Sequence, residues 1–192
     1  VALSLGSNTI TVTCTDDAGN AGSASVTVTR SPNPPPVVTI TSPADGTVTG
    51  ASSIVLTFTS SDDSGIAPTC NKSSGSSQPL VPGANVLSVT CTDDQGAATT
   101  ASVTVHRDNV APSISISGTA DGSTMQWPVL ALDYTVTDNY DASPSCDHPS
   151  GENRPLVEGA NVLSVTCTDD VGNSSTASIT VYRDNTNPVV TI

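Results

Sequence analysis

The 192 residues carry 18 Asp and Glu against 5 Lys and Arg, a net charge of −13 that repels phosphate backbones and anionic lipid surfaces. That balance excludes nucleic-acid binding and attracts cations. Aromatics are 3% of the chain, three Tyr, one Trp and one Phe, too few for a large enzyme core built on aromatic-rich helices.

From Val1, the first 30 residues show Gly6, Asn8, Cys14, Asp16 and Asp17, which return 77 positions later as Gly83, Asn85, Cys91, Asp93 and Asp94. A whole unit follows, and the one after it repeats at an offset of 76. Pro36 maps to Pro112, Ala44-Asp45-Gly46 to Ala120-Asp121-Gly122, Cys70 to Cys146 and Arg107 to Arg183. The stretch Pro79–Asp94 reappears as Pro155–Asp170 with one change, Pro82 to Glu158. The expected organisation is therefore the back half of a repeat in 1–30, whole repeats in 31–108 and 109–184, and the first strand of another in 185–192. Half a repeat is unaccounted for between the two ends, so the chain reads as an excerpt of a longer tandem array. No run approaches the roughly 18 apolar residues needed to span a bilayer, and Val1 does not begin a signal peptide. Any targeting sequence is expected outside these residues.

Within each unit the apolar residues alternate with period two. Strand A is expected to start near Pro36 or Pro112. Strand B covers Ile54–Thr59 and Leu130–Thr135, where Ile54, Leu56 and Phe58 alternate with Val55 and Thr57. Strand C begins near Cys70 or Cys146. Strand F ends near Cys91 or Cys167, and strand G runs from Ala101 or Ala177 to the Arg. Nothing offers an apolar helical stripe with caps. The predicted fold is all-β: tandem immunoglobulin-like antiparallel sandwiches arranged end to end.

Cys70 and Cys91 stand 21 residues apart, as do Cys146 and Cys167. Strands C and F are neighbours in such a sandwich, so each pair can form a disulfide; a buried pair of free thiols is the alternative. Cys14 occupies the F position of the incomplete repeat, and its partner is not in the chain. A disulfide matters in a unit this small, which buries only about 60% of its unfolded surface. It implies an oxidising, extracellular setting.

Several stretches together resemble the hyalin repeat (HYR) module. They are Pro68-Thr69-Cys70, Ser74-Gly75-Ser76, Val81-Pro82-Gly83-Ala84-Asn85, Val89-Thr90-Cys91-Thr92-Asp93-Asp94-Gln95-Gly96 and Arg107-Asp108. The second unit shows the same pattern from Pro144 to Asp184. The resemblance implies an immunoglobulin-like fold in extracellular, adhesion-associated, multidomain proteins, and no catalytic activity.

Acidic residues cluster at strand ends. Asp16-Asp17, Asp93-Asp94 and Asp169-Asp170 each precede x-Gly, and the B–C loops carry Asp62-Asp63 and Asp138-Asn139-Tyr140-Asp141. B–C and F–G loops share one end of an immunoglobulin sandwich, so Asp108 and Asn109 are expected to face Asp138, Asp141, Asp169 and Asp170. That donor set suits Ca²⁺, a structural cofactor with six to eight oxygen ligands. It resembles the calcium-stiffened joints of cadherin-like and bacterial Ig-like arrays. Turn chemistry alone also accounts for Asp-Asp-x-Gly. The first junction, Arg30-Ser31-Pro32-Asn33-Pro34-Pro35-Pro36, has no Asp, and its prolines favour an extended spacer that needs no ion.

Paired carboxylates can hydrolyse glycosides, but here they recur on turns in every copy. His106 and His148 align with Tyr182 and Lys72, so neither reads as a base or a ligand. Trp127 is the single residue suited to stacking on a sugar. Asn71-Lys72-Ser73 and Asn173-Ser174-Ser175 are N-glycosylation sequons. The functional expectation is a structural stalk or filament segment of a large extracellular surface protein. Its partners are neighbouring repeats and, in a filament, other copies. A carbohydrate-binding accessory module of a secreted enzyme is the alternative.

Overall fold

A computed structural model describes residues 1–191. Sixteen strands and no helix occupy them. With no helix present, none is long and apolar enough to cross a membrane.

The chain divides into two compact units. One comprises Val1–Thr41, Phe58–Ser74 and Ser88–Ser102; the other comprises Ser42–Thr57, Gly75–Leu87 and Val103–Ile192. Strands β1 (Gly6–Thr15) and β2 (Ala21–Arg30) form a two-stranded sheet, paired from Gly6↔Arg30 to Thr15↔Ala21. Their turn is Asp16–Asn20, where Gly19 takes a φ of 86°, a conformation open to glycine without a Cβ clash. With one two-stranded sheet to itself, the hairpin leaves Val12 62% and Val26 56% exposed.

Seven strands then fall within 31–108: β3 (Val37–Ser42), β4 (Thr47–Thr49), β5 (Ser53–Ser61), β6 (Thr69–Cys70), β7 (Ser76–Pro79), β8 (Gly83–Thr92) and β9 (Ala98–Arg107). They are ordered β3-β5-β7 in one sheet and β4-β9-β8-β6 in the other. Seven more fall within 109–184: β10 (Ser113–Ser117), β11 (Thr124–Met125), β12 (Val129–Thr137), β13 (Ser145–Cys146), β14 (Glu152–Pro155), β15 (Gly159–Thr168) and β16 (Ser174–Arg183). Their sheets are β10-β12-β14 and β11-β16-β15-β13, the same order. This is an all-β, immunoglobulin-like sandwich architecture with antiparallel pairing, except that β4 and β11 run parallel to β9 and β16.

The period-two expectation holds for the long strands. Leu163, Val165 and Cys167 of β15 are 5%, 0% and 0% exposed, whereas Val162, just before them on the other face, is 70% exposed. Leu132 of β12 and Leu156 after β14 cluster with Leu163 of β15 and with Ile179 and Val181 of β16, so both sheets contribute to one core. Leu56, Val89 and Val105 are likewise 0% exposed. Burying such side chains, at roughly 1.5–3 kcal/mol each, supplies most of the favourable folding energy.

Strands B, F and G extend one to three residues beyond their expected bounds, and strand C ends at its cysteine instead of beginning there. Cys70 is the register partner of Cys91, and Cys146 of Cys167, so each disulfide joins directly opposed residues of β6–β8 or β13–β15. Cys14 is free and exposed. Residues 185–191, where a first strand was expected, form no strand; Ile192 lies outside the described residues.

Candidate metal centre

Each of three carboxylates sits one residue past the end of a strand, where the ladder stops and side-chain oxygens take over the backbone's hydrogen bonds. Asp108 follows β9 and is 2% exposed. Its N–H donates to the Thr49 carbonyl at 2.9 Å, and its Oδ1 accepts from Val110 N–H at 3.0 Å and from Asn139 Nδ2 at 3.3 Å. Asp138 follows β12. Its Oδ1 accepts from the N–H groups of Tyr140 and Asp141, both at 3.0 Å, while Oδ2 is buried with no hydrogen-bond partner.

Asp169 follows β15 and is 6% exposed. Its Oδ1 accepts from Val171 N–H at 3.0 Å and Asn173 N–H at 2.8 Å, and its Oδ2 from Asn173 Nδ2 at 2.7 Å. Burial pushes Asp169 up, but the Asn173 amide and the N–H groups of Asn173, Val171 and Gly172 outweigh it. The carboxyl is held below its ordinary value of 3.8. A depressed carboxyl contributes stability that is complete above the ordinary value and is lost as pH falls through the lowered one. Melting temperature in calcium-free buffer is therefore expected to fall on acidification below about pH 4. Asp169→Asn should flatten that fall in circular-dichroism melts; an unchanged acid limb would contradict this account.

One oxygen from each of Asp108, Asp138 and Asp169 lies within 4.8 Å of the others. Charged carboxylates gathered at this spacing repel one another, and a cation among them would relieve that repulsion. Asp138 Oδ2, buried with no hydrogen-bond partner, is an oxygen free to take such an ion. The donors are hard oxygens, which suit Ca²⁺. The residues fit the ion.

Of the six expected ligands, these three converge. Asp141 is half-buried in a supporting position, its Oδ1 accepting from Ser143 N–H at 2.8 Å and its Oδ2 from Asp170 N–H at 3.1 Å. The Asp170 and Asn109 side chains lie exposed. Beside the cluster is a cavity of about 250 Å³ lined by Val48, Asp108, Tyr140, Asp141, Asp170 and Val171. Gly50 borders the same region: a Cβ there would stand 3.3 Å from the Val171 carbonyl oxygen, a tight contact that a side chain would have to push back by a few tenths of an ångström. Tyr140 packs on His106 with ring centroids 5.1 Å apart.

Two contributors escaped the sequence reading. Asn139 donates to Asp108, and Asn173 braces Asp169 although it reads as a sequon. The recurrence of Asp-x-x-x-Asn at Asp16–Asn20 and Asp169–Asn173 was the available signal. Asp16 shows the same bonds, accepting from Asn20 N–H at 2.8 Å and Asn20 Nδ2 at 2.9 Å.

No family model and no curated protein matches the chain. Solved structures similar to it include fibronectin(III)-like modules of Clostridium thermocellum CbhA, at 18% identity and a TM-score of 0.36, covering 77% of this chain and 94% of that one. A protocadherin gammaB7 EC3-6 cis-dimer structure matches at 14% identity and a TM-score of 0.36, and protocadherin gamma B2 cadherin domains 3–6 at 15% and 0.33. Each covers 93% of this chain, which spans 58% and 57% of the respective protocadherin chains.

Proposed function

We propose that this chain is a spacer segment of an extracellular surface or adhesion protein, built from tandem immunoglobulin-like repeats of the hyalin-repeat type. Residues 31–108 and 109–184 are its repeats, joined through 108–112. The observation that carries the reading is the meeting of Asp108, after the last strand of one repeat, with Asp138 and Asp169, at two strand ends of the next. Carboxylates gathered from both sides of a linker suit a stiffening ion better than a substrate. A disulfide in each repeat supports an oxidising, extracellular setting.

Ca²⁺ held by Asp108, Asp138 and Asp169 would neutralise their mutual repulsion. This chain's own residues do the positioning. The Thr49 carbonyl anchors Asp108, the Tyr140 and Asp141 N–H groups orient Asp138, and Asn173 fixes Asp169. The role is mechanical: ladders bear load, disulfides limit extension, and the clamped linker sets stiffness. Trp127, 64% exposed, is the one feature favouring the carbohydrate-binding alternative, and a glycan array with Trp127→Ala as control tests it.

Small-angle scattering in calcium and then in EGTA tests the stalk reading. Chelation is expected to broaden the distribution of interatomic distances as the 108–112 linker gains bending freedom. An identical profile in both buffers would remove the ion from the mechanism.

A further inference from the structure

Two asparagines carry the pattern that a sugar-transferring enzyme reads, Asn71-Lys72-Ser73 and Asn173-Ser174-Ser175. The fold treats them differently. At the second, both polar side chains of the motif are spent on structure. Asn173 Nδ2 donates to Asp169 Oδ2 at 2.7 Å, and the Ser175 hydroxyl donates to the Pro112 carbonyl. Both residues are half-buried. A sugar on Asn173 Nδ2 would have to displace Asp169, whose Oδ1 holds the turn after β15 through Val171 N–H and Asn173 N–H.

Asn71 lies in the turn after β6, the edge strand of the β4-β9-β8-β6 sheet. Its N–H donates to the Thr90 carbonyl at 3.0 Å, and its Oδ1 accepts from Thr90 N–H at 3.0 Å. Those bonds fix the residue to β8 and leave its amide nitrogen unused. Among the described residues nothing bonds to Asn71 Nδ2 or to the Ser73 hydroxyl, and both residues are exposed. The second repeat shows that the nitrogen has no structural task. Asp147, 76 positions on, donates its N–H to the Thr166 carbonyl at 3.0 Å and accepts from Thr166 N–H at 2.9 Å. A carboxylate does everything the fold asks of that position. What Asn71 adds is an exposed, unengaged amide with a free hydroxyl two residues on.

We propose that Asn71 is an N-glycosylation acceptor and that Asn173 is not. The donor class is an oligosaccharide carried on a lipid diphosphate. In the transfer Asn71 Nδ2 bonds to C1 of the first sugar and gives up one proton. The C1–O bond breaks, and the lipid diphosphate leaves with its electron pair. Nothing is oxidised or reduced. Oδ1 keeps its bond from Thr90 N–H, so the repeat loses no hydrogen bond. A turn at the rim of a sheet has room for a bulky, hydrated group. The inference rests on the extracellular reading, because a chain meets such a donor during export.

The test secretes the full chain, behind a leader peptide, from yeast cells that make N-glycans. Glycosidase digestion of the folded product in heavy-oxygen water turns each occupied Asn into a labelled Asp, which peptide mass spectrometry locates. Label is expected at position 71 and absent from 173. Asn71→Asp, which keeps the oxygen that accepts from Thr90 N–H, and Ser73→Ala should each lose the whole glycan mass. Asn173→Gln should keep it. A disulfide-bonded wild-type chain with Asn71 unlabelled, or with Asn173 labelled, would overturn the inference and leave the stalk reading standing. A chain whose paired cysteines stay reduced would count against the extracellular reading, and the label at 71 would still decide the acceptor.

Discussion

Replacing Asp108 by Asn is expected to abolish the effect of calcium on thermal stability. In the wild-type chain, calcium at a hundredfold excess over its dissociation constant should add about 2.7 kcal/mol. For a cooperative unit of this size, each kcal/mol is worth roughly 4–8 °C, so a rise on the order of 10–20 °C is expected. Asp108→Asn keeps an oxygen to accept from Val110 N–H but removes one of three charges. Its melting temperature should be insensitive to calcium and, in EGTA, equal to or above that of wild type, because repulsion within the cluster is relieved. A residue that served only the turn would show no such crossing. Scanning calorimetry in the two buffers decides it.

Opening either disulfide is expected to cost about 3 kcal/mol on the chain-entropy model. Cys91 and Cys167 are both 0% exposed, so a Cys146→Ala, Cys167→Ala chain also leaves a sulfur-sized gap at the fully buried position 167. The melting temperature of that repeat should fall by roughly 12–24 °C, and the same pair of changes at Cys70 and Cys91 should weaken the other. A fall of under about 4 °C would mean that the ladders hold these repeats without the bonds. Cys14→Ser, at an exposed thiol, serves as the neutral control.

The parts of the fold legible in the sequence are those with a repeating physical signature. Period-two alternation in Leu87, Val89 and Cys91 located a buried strand, and the equal spacing of the cysteine pairs located its neighbour. Thr47–Thr49 was not legible as a strand: three residues are too few to show a period, and their parallel pairing with Val105–Arg107 is set by tertiary approach. At the site, strand phase separates ligands from bystanders. Asp169 continues the inward set of Leu163, Val165 and Cys167, whereas Asp170 falls on the outward face, so the pair divides as the alternation dictates. Asp138 and Asp141 have no such guide, because both lie past the end of β12 and their directions depend on the turn that Asp138 Oδ1 itself organises. Asn33, whose Nδ2 donates to Asp93 Oδ2, was hidden for another reason: it sits among prolines, and its partner is 60 residues away.

A crystal structure of the full chain grown with calcium tests the central claim most directly. The expected result is an ion bonded to oxygens of Asp108, Asp138 and Asp169 at about 2.3–2.6 Å, the normal range for Ca²⁺. A folded chain with only water between those three carboxylates, at calcium concentrations well above extracellular levels, would contradict it.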